Sequence, residues 1–186
     1  GTVVGAFASG EVVAVLAANG NDLWTQSLSR SNRNNALSEI RDIAGRPVIY
    51  KGDVYAASHS GVFASIDLRT GAGKWVIPVS SITTPWPAGD VVYVISKAGE
   101  LICASRETGQ IYWIVDLNKN FVAAKGAGKF FARGSKKVRP YWSGPVLASN
   151  HLIVVSSTGT ALALDPKTGK QQNTLNLGAP ALMTPI

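Results

Sequence analysis

The chain has 186 residues, 46% of them hydrophobic, a net charge of +7, one cysteine and one methionine. That is enough chain for a substantial core, while the single Cys103 excludes an internal disulfide and any cysteine-pair metal motif, and no apolar run is long enough for a membrane-spanning helix. The basic excess points towards nucleic acid or an anionic membrane, but it is local: Leu117 to Trp142 carries seven Lys/Arg and no Asp/Glu, and outside it the charges balance.

Taken in order, the chain repeats one skeleton. A first, partial copy holds Gly10, Gly20 and Trp24. The next is Pro47, Ser58, Gly61, Gly71 and Trp75, followed by Pro85, Ser96, Gly99, Gly109 and Trp113. A further copy is Pro145, Ser156, Gly159 and Gly169, with Asn173 where Trp would stand, and Pro185 opens another. Within the unit from Pro47, the runs Pro47–Tyr50, Asp53–Ser58, Val62–Asp67 and Lys74–Val79 read as strands. Gly52, Gly61 and Gly71 supply the turns between them, because tight hairpins need positive φ.

Four short antiparallel strands recurring about every 38 residues (Pro47 to Pro85) are the signature of a β-propeller blade. The chain is therefore expected to be all-β: a single partial propeller domain over 1–186 with about four blades, belonging to a ring of eight. Its register opens inside one unit and closes at the start of another, so the chain is expected to be part of a longer protein, any signal peptide lying upstream. Unclosed blade edges predict self-association.

Several residues acquire structural roles in this register. Gly61, Gly71, Gly99, Gly109, Gly159 and Gly169 are turn positions, and Asp67 and Asp165 are expected to accept hydrogen bonds from turn amides. Trp75 and Trp113 should pack between neighbouring blades. Cys103 aligns with Ala14, Ser65 and Ala163, so a small buried residue is expected there. His59 falls in a repeated turn and His151 at the start of a second strand; neither spacing suits a metal or a catalytic triad. No catalytic residue, metal site or cofactor is predicted.

Two blade-to-blade connections carry insertions, at about 29–46 and 118–143. They should emerge on one face, at the same end as the turns between second and third strands, where long loops on a rigid scaffold carry function. In the first, Asn34 or Asn35 is placed to cap a short helical turn through Ile40; the segment reads either as a surface loop pinned by its own apolar residues or as a partner-docking loop. The second interleaves Lys125, Lys129, Arg133, Lys136, Lys137 and Arg139 with Phe121, Phe130, Phe131, Tyr141 and Trp142. It reads either as a solvated loop or as a surface for phosphates or an anionic membrane. Its Gly126-Ala127-Gly128-Lys129 piece fails the phosphate-loop pattern, which needs Gly at Ala123 and Ser/Thr at Phe130.

The run from Ser65 through Asp67, Thr70 and Gly71 to Trp75, echoed from Ala163 through Asp165 to Gly169, resembles the repeat of pyrroloquinoline-quinone-like propellers. Among these, the chain as a whole is similar to BamB-like periplasmic lipoproteins of the outer-membrane β-barrel assembly machinery. That resemblance implies a noncatalytic scaffold, lipid-anchored at the periplasmic face of the outer membrane. Its partners would be the POTRA domains of the barrel-inserting subunit and unfolded outer-membrane proteins. It assigns docking to the loop before Pro47, hence to Arg41, Asp42, Ile43 and Arg46; Ala44 falls where the family has a second acidic residue. The alternative within the same repeat class is a fragment of a quinone-dependent dehydrogenase. That family's vicinal disulfide has no counterpart in a chain with one cysteine.

Overall fold

The computed structural model describes residues 1–28, 45–119 and 139–179. The first sheet contains β1 (Thr2–Ala6), β2 (Glu11–Leu16) and β3 (Asp22–Ser27); the second contains β4 (Val48–Tyr50), β5 (Asp53–Ala57), β6 (Phe63–Asp67) and β7 (Gly73–Ile77). The third contains β8 (Trp86–Ala88), β9 (Val91–Ile95), β10 (Glu100–Ser105) and β11 (Ile111–Asp116), and the fourth β12 (Trp142–Ala148), β13 (His151–Ser156), β14 (Thr160–Leu164) and β15 (Gln171–Asn176). Each sheet is an antiparallel meander, and all the regular structure of the described residues is strand. The blades predicted from the spacing are therefore present, with strand ends moved by only one or two residues.

Three apolar layers lie between successive blades. Val12 and Leu28 meet Val54, Ala56, Ala64 and Ile66; Tyr55, Phe63 and Ile77 meet Val92, Val94 and Ile102; Tyr93, Ile95 and Leu101 meet Leu152, Val154 and Leu164. Strands buried on both faces explain why β5 and β9 read as near-continuous apolar runs rather than alternating ones.

One junction recurs at every layer. The Trp24 indole lies so close over Gly71 that a Cβ there would stand 2.6 Å from the ring; Trp75 covers Gly109 at 2.9 Å and Trp113 covers Gly169 at 2.8 Å. Trp24 Nε1 donates to the Leu68 carbonyl (2.8 Å) and Trp75 Nε1 to the Arg106 carbonyl (2.9 Å). At the third junction the Tyr93 hydroxyl takes the corresponding carbonyl, that of Pro166 (3.0 Å), and buried Trp113 Nε1 has no hydrogen-bond partner. The glycines thus serve two needs at once: a left-handed φ and room for an indole.

The strand positions opposite each indole complete the junction. Ala14 pairs with Trp24, Ser65 with Trp75, Cys103 with Trp113, and Ala163 with Asn173, and in each sheet the register shifts immediately after that pair. The shift adds one residue just before the tryptophan, a bulge that bends the outer strand and aims the ring at the next blade. Small residues opposite it leave the indole space, so Cys103 is buried as expected, and burial pushes its thiol up to about 11.

The turns follow side-chain chemistry. Asp67 Oδ1 accepts from the amides of Arg69 (3.1 Å) and Thr70 (2.7 Å), and Asp165 Oδ1 from those of Lys167 (2.8 Å) and Thr168 (2.9 Å). At the other end, Ser58, Ser96 and Ser156 Oγ accept from the amides of Val62, Glu100 and Thr160.

Trp75→Ala should cost about 3 kcal/mol in urea unfolding, and Gly109→Ala about 2 kcal/mol, through strain and overlap with the ring. The double variant should lose less than the sum, because the vacated indole site admits the new methyl. For Asp67, the Thr70 hydroxyl and the turn amides hold the carboxyl below its ordinary 3.8, so ionisation favours the folded chain. Asp67→Asn keeps an acceptor and removes the charge. Its deficit against wild type should be full above pH 3.8 and shrink as pH falls through the depressed value, read from urea midpoints across a pH series.

Candidate functional site

The blade connections and the turns between second and third strands share one end of the molecule. Leu28 N donates to Gly10 O, Ser81 N to Ser58 O, Lys97 N to Ser80 O, and Leu117 N to Gly99 O. This end carries the roots of both insertions, and each root is tied down.

The first insertion leaves after Leu28, which is buried against Val54 and Ala64, and returns at Gly45. Gly45 is pressed on the next connection, where a Cβ would meet the Thr83 carbonyl at 2.5 Å. That connection is itself anchored: Ser81 Oγ donates to Ile95 O (2.6 Å) and accepts from Thr83 N (3.1 Å). Arg46, directly after Gly45, is exposed on this face. Arg41, Asp42 and Ile43 and the helical turn expected through Ile40 lie outside the described residues.

The second insertion is closed by a clasp between its two ends. Asn118 Nδ2 donates to Ala98 O (3.0 Å), and its Oδ1 accepts from Trp142 Nε1 (3.0 Å). Tyr141 N donates to Ser157 Oγ (3.0 Å), and Ser157 N returns a bond to Tyr141 O (2.7 Å). Trp142 is a buried first residue of β12, packed among Tyr93, Leu117 and Leu152, so it leaves the aromatic set expected at a phosphate or membrane surface. Tyr141 and Arg139 are exposed there. Lys125, Lys129, Arg133, Lys136 and Lys137, with Phe121, Phe130 and Phe131, lie outside the described residues.

On the same face His59 Nδ1 stands 3.3 Å from Lys97 Nζ, two equivalent turn positions of adjacent blades. His151 lies at the opposite end, its Nδ1 against Ser149 O (2.7 Å). No group of three His, Cys, Asp or Glu gathers in metal-ligand geometry among the described residues.

Sequence reasoning missed a buried charge cluster at that opposite end. Asp53 is buried, paired with Lys74 Nζ (2.9 Å) and Arg106 Nη1 (3.2 Å), and accepts from the Tyr55 hydroxyl (3.1 Å). Arg106 also donates to Gly89 O (2.9 Å) and lies over the Tyr50 ring, tying the third blade to the second. Burial, reinforced by the Asp53 charge, raises the Tyr55 hydroxyl to about 12, despite the opposing pull of Arg106. All four groups satisfy one another, as in a structural staple.

A family model described as outer membrane protein assembly factor BamB matches residues 1–115. The protein of that name from Yersinia pestis is 25% identical over 177 residues, which cover 83% of this chain and 45% of the relative. The crystal structure of BamB from Moraxella catarrhalis superposes with a TM-score of 0.74 at 22% identity, covering 98% of this chain and 48% of that one. A europium-containing methanol dehydrogenase superposes at 0.62 with 15% identity, covering 96% of this chain and 40% of its own, a likeness of fold alone. The chain thus spans about half the length of the curated relatives it matches.

Asn118→Ala removes the link between the Trp142 indole and the Ala98 carbonyl. A loss of about 1–2 kcal/mol is expected, with faster proteolytic cleavage between 119 and 139 than in wild type, read by timed digestion and mass spectrometry.

Proposed function

The chain belongs to the outer membrane protein assembly factor BamB family, and from that premise we propose that it works as a noncatalytic scaffold in outer-membrane protein assembly, at the periplasmic face of the outer membrane. The observation that supports this most directly is the anchoring of both insertions on one face: Leu28 and Gly45 hold one loop, and Asn118 and Trp142 hold the other. Rigid roots beneath long loops lower the entropy lost when the loops take hold of a partner.

The partner in this reading is the barrel-inserting subunit, held through its POTRA domains by the loop containing Arg41, Asp42 and Ile43 and ending at exposed Arg46. Unfolded outer-membrane proteins are the substrates that such a scaffold would help present. The second loop, with six Lys/Arg from Lys125 to Arg139, is suited to an anionic membrane surface beside that partner. The dehydrogenase reading has only shared fold behind it, and within these 186 residues the buried Cys103 has no neighbouring cysteine with which to form that family's vicinal disulfide.

Capture of the barrel-inserting subunit by the full-length protein provides the test. Asp42→Arg, and separately Arg46→Glu, should weaken capture about tenfold or more, as expected when a charge at a docking contact is reversed. Undiminished capture by both variants would remove the docking role from this loop.

A further inference from the structure

The three layers between blades are not packed alike near the outer strands. In the repeat register Gln26 stands where the next two junctions have Ile77 and Val115, Ala64 where they have Ile102 and Leu162, and Gly73 where they have Ile111 and Gln171. Ile77, Ile102 and Leu162 are buried and fill their own layers. At the first junction the smaller side chains leave a slot of about 200 Å³ between β3 of one blade and β6 and β7 of the next. Leu28, Val62, Ala64 and Ile66 make its apolar floor, Val76 lines it while 61% exposed, and Gln26 adds one carboxamide. None of the described residues that line it is charged.

The opening comes from side chains and not from the backbone. A Cβ at Gly73 would meet nothing within 4 Å, and its φ lies outside the left-handed region that Gly71 adopts. No local demand calls for glycine there, and the open slot forfeits contacts that the other two junctions make. The slot also adjoins the first insertion. Leu28, in its floor, is the residue from which that insertion leaves, and Val62 follows the Gly61 turn at the same end of the blades.

We propose that this slot takes one bulky apolar side chain, of leucine or phenylalanine size, from the partner that the first insertion engages; the inference rests on the docking role proposed for that insertion. An uncharged lining disfavours a charged occupant, which would lose its water without gaining a counter-charge. The Gln26 carboxamide both donates and accepts, as a peptide group does, so it matches the backbone that would carry the side chain. Continuity through Leu28 assigns slot and loop to one partner. The work is then divided: charges from Arg41 to Arg46 guide the encounter, and the slot holds what arrives.

Capture of the barrel-inserting subunit by the full-length protein, followed as association and dissociation rates, tests this. Gly73→Ile gives the slot the side chain of its counterpart Ile111; it should raise the urea midpoint yet speed dissociation about tenfold, at high salt as at low. Gly73→Ala makes the same backbone change while filling little of the slot, and should alter that rate less than about twofold. Arg46→Glu should instead slow association, with an effect that fades at high salt. A lowered urea midpoint for Gly73→Ile, dissociation unchanged by it, or an equal change from Gly73→Ala would each overturn the proposal. Faster dissociation from Gly73→Ile beside undiminished capture by Asp42→Arg and Arg46→Glu would uphold the slot and remove the loop. No capture by the wild type would overturn the docking role and the slot's occupant together.

Discussion

An indole laid on a glycine holds this array together. Each blade is a four-stranded sheet or nearly so, with apolar side chains on both faces, and it gains its stability by packing those faces against neighbouring blades. The tryptophan of the outer strand reaches past its own blade to the turn of the next, where the absence of a Cβ admits the ring and a backbone carbonyl accepts its N–H. One bulge, one small residue opposite the ring and one left-handed glycine occur together at all three junctions, and at two of them a carbonyl also accepts the indole N–H. This explains why they recur as a set rather than singly.

The two ends of the blades are built for different work. One end is closed by Asx turns, a hydrogen-bonded charge cluster around Asp53, and hairpins with little chain to spare. The other carries the connections, and there the carbonyls of the turn glycines Gly10 and Gly99 accept from Leu28 and Leu117 at the roots of the long insertions. A loop fixed at both roots can vary in sequence without disturbing the sheets beneath it, which is why binding functions accumulate on such loops. The departures from the repeat are therefore more informative about function than the repeat itself.

The junctions are not equally satisfied. Trp24 and Trp75 each find a carbonyl, whereas at the third junction the Tyr93 hydroxyl occupies the carbonyl that Trp113 would use. Tyr55, the counterpart of Tyr93 one blade earlier, instead turns its hydroxyl to Asp53, which leaves the Arg106 carbonyl to Trp75. A buried aspartate in one blade thus decides which hydrogen bond an indole makes in the same layer, and the cluster has consequences beyond its own ion pairs.

Blade number, strand order and the turn roles of Gly71, Asp67 and their repeats were legible in the sequence because they answer local backbone demands, and a local demand recurs at a fixed spacing. The smallness required at Cys103 was visible for the same reason, although its cause, the ring of Trp113 opposite, was not. Trp142 was misplaced because a strand start beside a basic run reads like loop; only the Asn118 side chain and the core around Leu152 show it turned inward. The ties from Asp53 to Arg106 and from Gly45 to Thr83 left no periodic trace at all, since each joins residues far apart in the chain and occurs once. Sequence by itself determined the repeated unit, through hairpin geometry and alternating burial. Tertiary structure alone decided which side chains meet across the blades, because that depends on how rigid blades stack in space, as in an indole and the glycine of its neighbour.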